Sequence, residues 1–302
     1  VARRLVVRLL EWPTLNYALT NRIPRRSLTR LAGRIARIRH PLVSRASIAL
    51  WRFFADVDLR DADRPRYASL HDAFTRQLMP GARPLDADAH AILSPCDGVA
   101  GAMGRVERGM VLQAKGQAYA LADLLLSAQL AAEFEGGQYA TIRLTAGMYH
   151  RFHAPASCTV ESVQFVAGDV WNVNPPTLAR VPALYCRNER AIMQCRLDDG
   201  ARMLIVPVAA VLVASLRLHC LQQRLHLRYR GPTHLRCRAH YERGAELGWF
   251  EQGSTIIVLL PPGHEPAEGI ATGARLRMGR ALYRAQPPQA LSEKGVKSVS
   301  VS

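Results

Sequence analysis

The sequence predicts an α+β fold: a strand-rich core, sandwich-like or barrel-like, preceded by amino-terminal amphipathic helices. Residues 1–54 carry apolar residues at helical spacing, interrupted by Pro13, Pro24 and Pro41. From Ala91 onward, β-branched and apolar runs are punctuated by glycine and proline, the pattern of short strands. With 302 residues, 49% of them hydrophobic, the chain can bury a core without disulfides or metal staples.

In the amino-terminal region, a helix over Ser27–Ile38 places Leu28, Leu31, Ile35 and Ile38 on one side and Arg26, Arg30, Arg34 and Arg37 on another, with Ser27 as its N-cap. The stretch from Leu5 to Trp12 adds apolar bulk and an interfacial tryptophan. Residues 1–50 hold eleven arginines against the single acid Glu11, much of the formal net charge of +16. Such an excess calls for an anionic partner. Nucleic acid and anionic lipid both meet the charge, and the amphipathic spacing favours a segment lying in a membrane interface. Five arginines at about 1 kcal/mol each would strengthen attachment by roughly three decades. The longest apolar run, Met203 to Leu216, contains Pro207 and falls short of the roughly 20 residues a span needs, so it predicts buried strand.

Next come Asp56, Asp58, Asp61 and Asp63, marking the passage from a membrane-facing layer, residues 1–63, to a soluble core, residues 64–302. A helix is expected over Ser69–Leu78, ended by Pro80-Gly81, and a helical patch over Leu121–Phe134. Leu225, Leu227 and Tyr229, then Leu235, Cys237 and Ala239, alternate with polar residues about Gly231-Pro232, which predicts a hairpin with one wet face. The tail from Gln286 reads as loosely ordered. The six cysteines, Cys96, Cys158, Cys186, Cys195, Cys220 and Cys237, show no Cys-x-x-Cys pair and no regular spacing, so reduced thiols in a cytoplasmic setting are expected. No metal is expected at His234, Cys237 and His240, because a strand turns Cys237 away from the two imidazoles and three arginines flank them.

Three segments carry chemistry: Ser94-Pro95-Cys96-Asp97-Gly98, Tyr149-His150-Arg151-Phe152-His153, and Gly253-Ser254-Thr255 ahead of the apolar run Ile256–Leu260. A serine, imidazoles and a carboxylate are the parts of an activated nucleophile. Taken singly, Gly-Ser-Thr reads as an ordinary strand start and Asp-Gly as a turn. In this order and at these separations they resemble phosphatidylserine decarboxylase, whose pattern is Pro-Ala-Asp-Gly, then Tyr-His-Arg-x-His, then Leu-Gly-Ser-Thr. Further fragments fit: Leu28–Gly33, Arg83-Pro84, Leu112–Gly116, Gly168-Asp169-Val170 with Val173-Asn174, and Arg187-Asn188-Glu189-Arg190. The chain departs from the family at Cys96, where alanine is usual, at Gln252, where leucine is usual, and at Ala209 and Ala214, which tend to be glycine.

The resemblance implies a precursor that cuts itself between Gly253 and Ser254. Gly253, lacking a Cβ, suits a strained scissile carbonyl. Ser254 would attack it, with His153 as general base and Asp97 as the carboxylate fixing the His153 tautomer. Ser254 would become a covalent pyruvoyl group, and fragments 1–253 and 254–302 would stay joined through the strand after the cut. The pyruvoyl group would form an imine with phosphatidylserine, releasing carbon dioxide and phosphatidylethanolamine. His150 is expected to assist decarboxylation or reprotonation, and Lys115 to be structural or substrate-positioning. The enzyme would lie peripherally on the cytoplasmic face of the cell membrane, without nucleic acid as partner and with a homodimer left open.

Three rivals make different predictions. A serine hydrolase acting on lipid predicts an intact chain and a Gly-x-Ser-x-Gly elbow. A basic nucleic-acid binder calls for aromatic or base-reading motifs near the arginines, which beyond Trp12 and Tyr17 are sparse. A pyruvoyl enzyme with another substrate would act on a different amino acid or serine-bearing lipid.

Overall fold

The computed structural model describes residues 12–114, 116–211, 215–251 and 254–285. The stretch before Trp12, Lys115, Ala214, Gln252, Gly253 and the tail from Gln286 lie outside the described residues.

Helices α1 (Pro13–Asn21), α2 (Arg25–Ala36) and α3 (Pro41–Phe54) fill the amino-terminal region. Each begins at or beside a proline, whose fixed φ and missing N–H suit a helix start. Pro24, not Ser27, therefore occupies the N-cap of α2; Ser27 sits in the first turn, where its hydroxyl accepts from Arg30 Nη2 at 3.0 Å. Residues Leu28, Leu31, Ile35 and Ile38 are exposed, as are Leu42 and Leu50 of α3. Among the described residues no helix is long and apolar enough to cross a membrane. The layer is moored to the core: Asn21 Nδ2 donates to Thr177 Oγ1 (2.8 Å), Trp51 Nε1 to the Ala146 carbonyl (2.9 Å), and Arg25 pairs with Asp169 while lying 3.7 Å over the Trp171 ring.

The helix expected over Ser69–Leu78 is the single turn α4 (Leu70–Phe74), capped by Ser69, which accepts from the Asp72 N–H at 3.1 Å. It ends at Thr75, whose dihedrals (φ −89°, ψ 16°) leave the helical region while its N–H and hydroxyl still reach the His71 carbonyl (3.0 and 2.9 Å). The Leu121–Phe134 patch is likewise two turns, Leu121–Leu125 and Ala128–Ala132, separated by Leu126 in the left-handed region (φ 53°) and by Ser127, which caps the second turn.

An eight-stranded antiparallel sheet organises the rest. Its spatial order is His234–Tyr241, Cys158–Val166, Arg190–Leu197, Arg202–Ala209, Ser254–Leu260, Gln138–Arg143, Gly98–Arg105 and Arg275–Leu276. The strand Ser254–Leu260 is central. Ile256, Val258 and Leu260 join the core on one face, and Ile257 and Leu259 the core on the other, which is why its sequence is apolar throughout rather than alternating. A four-stranded sheet, Leu225–His226, Ser215–Leu218, Glu246–Phe250 and Arg151–His153, covers the first face with Leu216, Leu218, Phe250 and Phe152. Short helices around Leu121 and Leu184 cover the second.

The expected hairpin about Gly231-Pro232 does not form. Leu225–His226 pairs with Ser215–Leu218, whereas His234–Tyr241 pairs with Cys158–Val166 at the edge of the large sheet. The alternation was real in both arms, but each satisfies its backbone against a different sheet. The edge strand keeps its wet face, with His234, Arg236, Arg238 and His240 exposed.

Candidate active site

Ser254 opens the central strand, its backbone opposite Ala209; the next residue, Thr255, lies between Val208 and Arg143. A strand follows Ser254 where a hydrolase elbow would start a helix, which removes the elbow geometry. Ala209 is gripped by the segment before the neighbouring strand: Asn188 Nδ2 donates to its carbonyl (2.7 Å) and its N–H donates to the Glu189 carbonyl (2.8 Å). Asn188 also bonds Trp171 N and O. The Arg-Asn-Glu-Arg fragment thus frames the partner of Ser254, a role its sequence did not announce.

Asp97 follows a tight turn in which Ser94 Oγ donates to the Cys96 carbonyl (2.8 Å). The Cys96 thiol is fully buried and its pKa pushed well up by desolvation, so it packs as a small apolar group. Gly98 lets the strand pass Ile142, since a Cβ there would lie 2.3 Å from Ile142 Cγ2. The Asp97 carboxylate is held by Arg83, with Nε at 2.9 Å and Nη2 at 2.6 Å, and accepts the Met278 N–H at 2.9 Å. Arg83 Nη1 reaches Asp61 at 2.8 Å.

His153 ends its strand with Nδ1 2.9 Å from the Gly244 carbonyl and Nε2 3.1 Å from the Tyr149 hydroxyl. A carbonyl only accepts, so Nδ1 carries the proton and Nε2 accepts from the phenol. Burial lowers the His153 pKa below its ordinary value, keeping the ring neutral. Asp97 was expected to fix this tautomer; among the described residues it is the Gly244 carbonyl that bonds Nδ1. The two segments nonetheless adjoin, because the His153 N–H donates to the Pro95 carbonyl (2.8 Å), and Asp97 and Tyr149 line one cavity of 450 Å³. Tyr149 and Arg83 are the site residues to which sequence reasoning assigned no role; each stood inside a quoted motif as a signal without a partner.

His150 is fully buried, its ring centroid 3.9 Å from that of Phe74. Nδ1 lies 2.8 Å from the Met148 carbonyl, and Nε2 has no partner among the described residues. Burial, reinforced by the Arg76 charge, pushes its pKa down to about 3. Its carbonyl accepts the Phe250 N–H (3.0 Å), which ties it to the chain entering the Gly253-Ser254 segment.

A second cavity, 420 Å³ and mainly apolar, opens at the amino end of the Ser254 strand between α2, α3 and the sheet. Ala36, Trp51, Phe74, Leu144 and Ala210 line it, and Arg143, which sequence reasoning also passed over, supplies a cation. Leu144 and Ala210 directly follow the residues that flank Ser254 and Thr255 in the sheet.

Comparison with known proteins identifies the family. Residues 70–284 match the family model described as phosphatidylserine decarboxylase. A phosphatidylserine decarboxylase proenzyme of Bordetella pertussis is 40% identical over 252 residues, covering 79% of this chain and 83% of its own. The proenzyme of Pseudomonas entomophila is 39% identical over 279 residues, covering 89% and 96%, and that of Stutzerimonas stutzeri 36% identical over 281 residues, covering 90% and 94%.

Proposed function

The chain belongs to the phosphatidylserine decarboxylase family, and from that premise we propose that it is a precursor that cuts itself at Gly253-Ser254 and then decarboxylates phosphatidylserine to phosphatidylethanolamine. The observation that carries this reading is the position of Ser254: first residue of a central strand whose flanking strands lead, through Arg143, Leu144 and Ala210, into an apolar cavity walled by the amphipathic helices.

In the cut, Ser254 Oγ attacks the Gly253 carbonyl carbon, its proton passing to His153 Nε2, and the peptide link becomes an ester. Loss of the Ser254 α-proton breaks the Cβ–O bond and expels the Gly253 carboxylate; hydrolysis of the resulting dehydroalanine releases ammonia and leaves pyruvoyl at residue 254. The lowered pKa of His153 and the proton on Nδ1 support its part as acceptor, since Nε2 is the bare nitrogen. Asp97 acts with Arg83 as a fixed ion pair beside this imidazole rather than as its hydrogen-bond partner.

The residues present fit a pyruvoyl group. Ser254 supplies its atoms, and the buried His150 Nε2 lacks a partner among the described residues. The pyruvoyl ketone supplies an electrophile for the substrate amine and an electron sink for the carboxylate leaving as carbon dioxide. His150, neutral at pH 7, assists the departure of carbon dioxide or the protonation of the α-carbon that follows it, relaying a proton from water through Nε2. The 420 Å³ cavity takes the start of the acyl chains, and Arg143 faces the anionic headgroup. Both fragments remain joined because the strand keeps its backbone pairing on either side.

The amino-terminal region, residues 1–63, attaches peripherally to the anionic, cytoplasmic face of the membrane. Exposed apolar residues on α2 and α3 beside a dense arginine set support this, and the family match beginning at residue 70 supports a catalytic unit over 64–302. Intact mass of the purified protein, with release of carbon dioxide from carboxyl-labelled phosphatidylserine, tests the whole: two fragments and labelled gas are expected, and an uncut chain active on the lipid would overturn it.

A further inference from the structure

On the flank of α2 facing the strands Ser215–Leu218 and Leu225–His226 lies a groove of 310 Å³. Arg30, Arg34, Arg37, Arg224 and Arg228 line it, with Glu251 as its acid. Glu251 is taken by Arg37 and by Arg224, the latter at 3.1 Å. Among the described residues Arg30 meets neutral oxygens alone, the Arg26 carbonyl and Ser27 Oγ, both at 3.0 Å. The guanidinium groups of Arg34 and Arg228 have no partner among the described residues. Five cations against one carboxylate leave four charges uncompensated in a small volume, a self-repulsion that an anion relieves. Planar guanidinium forks match the oxygens of a phosphate better than those of a spherical ion.

The groove is separate from the cavity beside Ser254. Ala32 and Ala36 face that cavity from the other flank of α2, and the two spaces share only Glu251. Location favours a lipid phosphate. Arg34 lies one turn from the exposed Leu31 and Ile38, so a phosphate held there leaves acyl chains to run along an apolar stripe. We propose that this groove is a second lipid site, which binds the phosphate of an anionic phospholipid headgroup at the membrane surface, apart from the substrate cavity. It rests on the reading that the amino-terminal helices lie against a membrane.

The test compares Arg34→Ala/Arg228→Ala with Arg45→Ala/Arg52→Ala, which removes the same charge from exposed positions of α3. Each full-length protein is first shown by intact mass to process as the parent does. Binding is measured by co-sedimentation with phosphatidylcholine vesicles, with and without phosphatidylglycerol. Diffuse attraction costs both pairs alike, about 1 kcal/mol per arginine; a built site makes the groove pair lose about tenfold more affinity for the anionic vesicles, because charge-assisted hydrogen bonds are lost as well. Equal losses would overturn the site. Failure of the parent protein to prefer anionic vesicles would remove the membrane reading and the inference together. Inorganic phosphate raising the melting temperature of the parent but not of the groove pair, with equal vesicle losses, would reassign the groove to free phosphate and overturn the lipid. Carbon dioxide release from detergent-dispersed substrate is unchanged in both pairs; its absence in the parent would sink the proposed function while leaving the vesicle comparison readable.

Discussion

Arg83 grips Asp97 with two nitrogens, Nε to Oδ1 at 2.9 Å and Nη2 to Oδ2 at 2.6 Å, and both side chains are about nine-tenths shielded from solvent. The candidate acid Asp97 is thus half of a buried ion pair. Removing one partner strands the other charge, which typically costs about 3–5 kcal/mol. Arg83→Ala should lower stability by that order and leave uncut 302-residue chain, visible by denaturant titration and intact mass. Arg83→Lys, which keeps charge but loses the fork, should recover part of both; a wild-type cut in the alanine variant would detach Arg83 from processing.

Ser254→Ala should abolish the cut while leaving the fold, because the strand's pairing to Arg202–Ala209 and Gln138–Arg143 does not depend on the hydroxyl. The expected product is one intact chain with the melting behaviour of a folded protein. Two fragments from this variant would exclude Ser254 as nucleophile.

Tyr149→Phe removes the only hydrogen bond on His153 Nε2 among the described residues. That bond favours the neutral ring, so its loss raises the His153 pKa and moves the acid limb of the processing rate to higher pH. The unpaired nitrogen costs about 1–3 kcal/mol. A pH profile of precursor disappearance, unchanged in the variant, would remove Tyr149 from the site.

Acid stability has a definite sign. The folded pKa of His150, about 3, lies below its unfolded value, so the unfolded state binds the extra proton and stability falls as pH drops below about 6.5, by up to roughly 1.4 kcal/mol per unit. Buried His153 acts in the same direction. Glu189, raised by burial to about 7, acts oppositely: it holds a proton in the fold that the unfolded chain has released, so its stabilisation is present below about 4.5 and lost as pH rises toward 7. Urea titrations at pH 7 and 5 should show net loss on acidification, shallower in His150→Gln and steeper in Glu189→Gln. The reverse order in the two variants would contradict these assignments.

Gly98→Ala would press a methyl against Ile142 Cγ2 at 2.3 Å and the Arg143 carbonyl at 3.2 Å, one residue from Asp97. Overpacking of this kind costs about 1–3 kcal/mol. Slower processing should accompany the lowered stability; a variant as stable and as quickly cut as wild type would show that the strand shifts freely.

Much of this was legible along the chain. The run Ile256–Leu260 identified a strand buried on both faces, the prolines marked helix starts, and three short motifs held the candidate site residues. Where local signals misled, a neighbouring residue or a distant partner won. Ser27 yielded to Pro24 as cap, and the arms about Gly231-Pro232 joined different sheets.

Periodicity reports interactions between residues a few positions apart, and from it the α+β class and the amphipathic amino-terminal layer could be read; the candidate set Asp97, His150, His153 and Ser254 came from the resemblance of three motifs to a family. Partnership between distant residues leaves no such trace. That Asp97 pairs with Arg83, that the Gly244 carbonyl sets the His153 tautomer, that Asn188 and Glu189 hold Ala209 opposite Ser254, and that α2 has a cavity on one flank and an arginine groove on the other came from packing alone. Each depends on which surfaces the sheet brings within about 3 Å, and hydrogen bonds and ion pairs act only at that range.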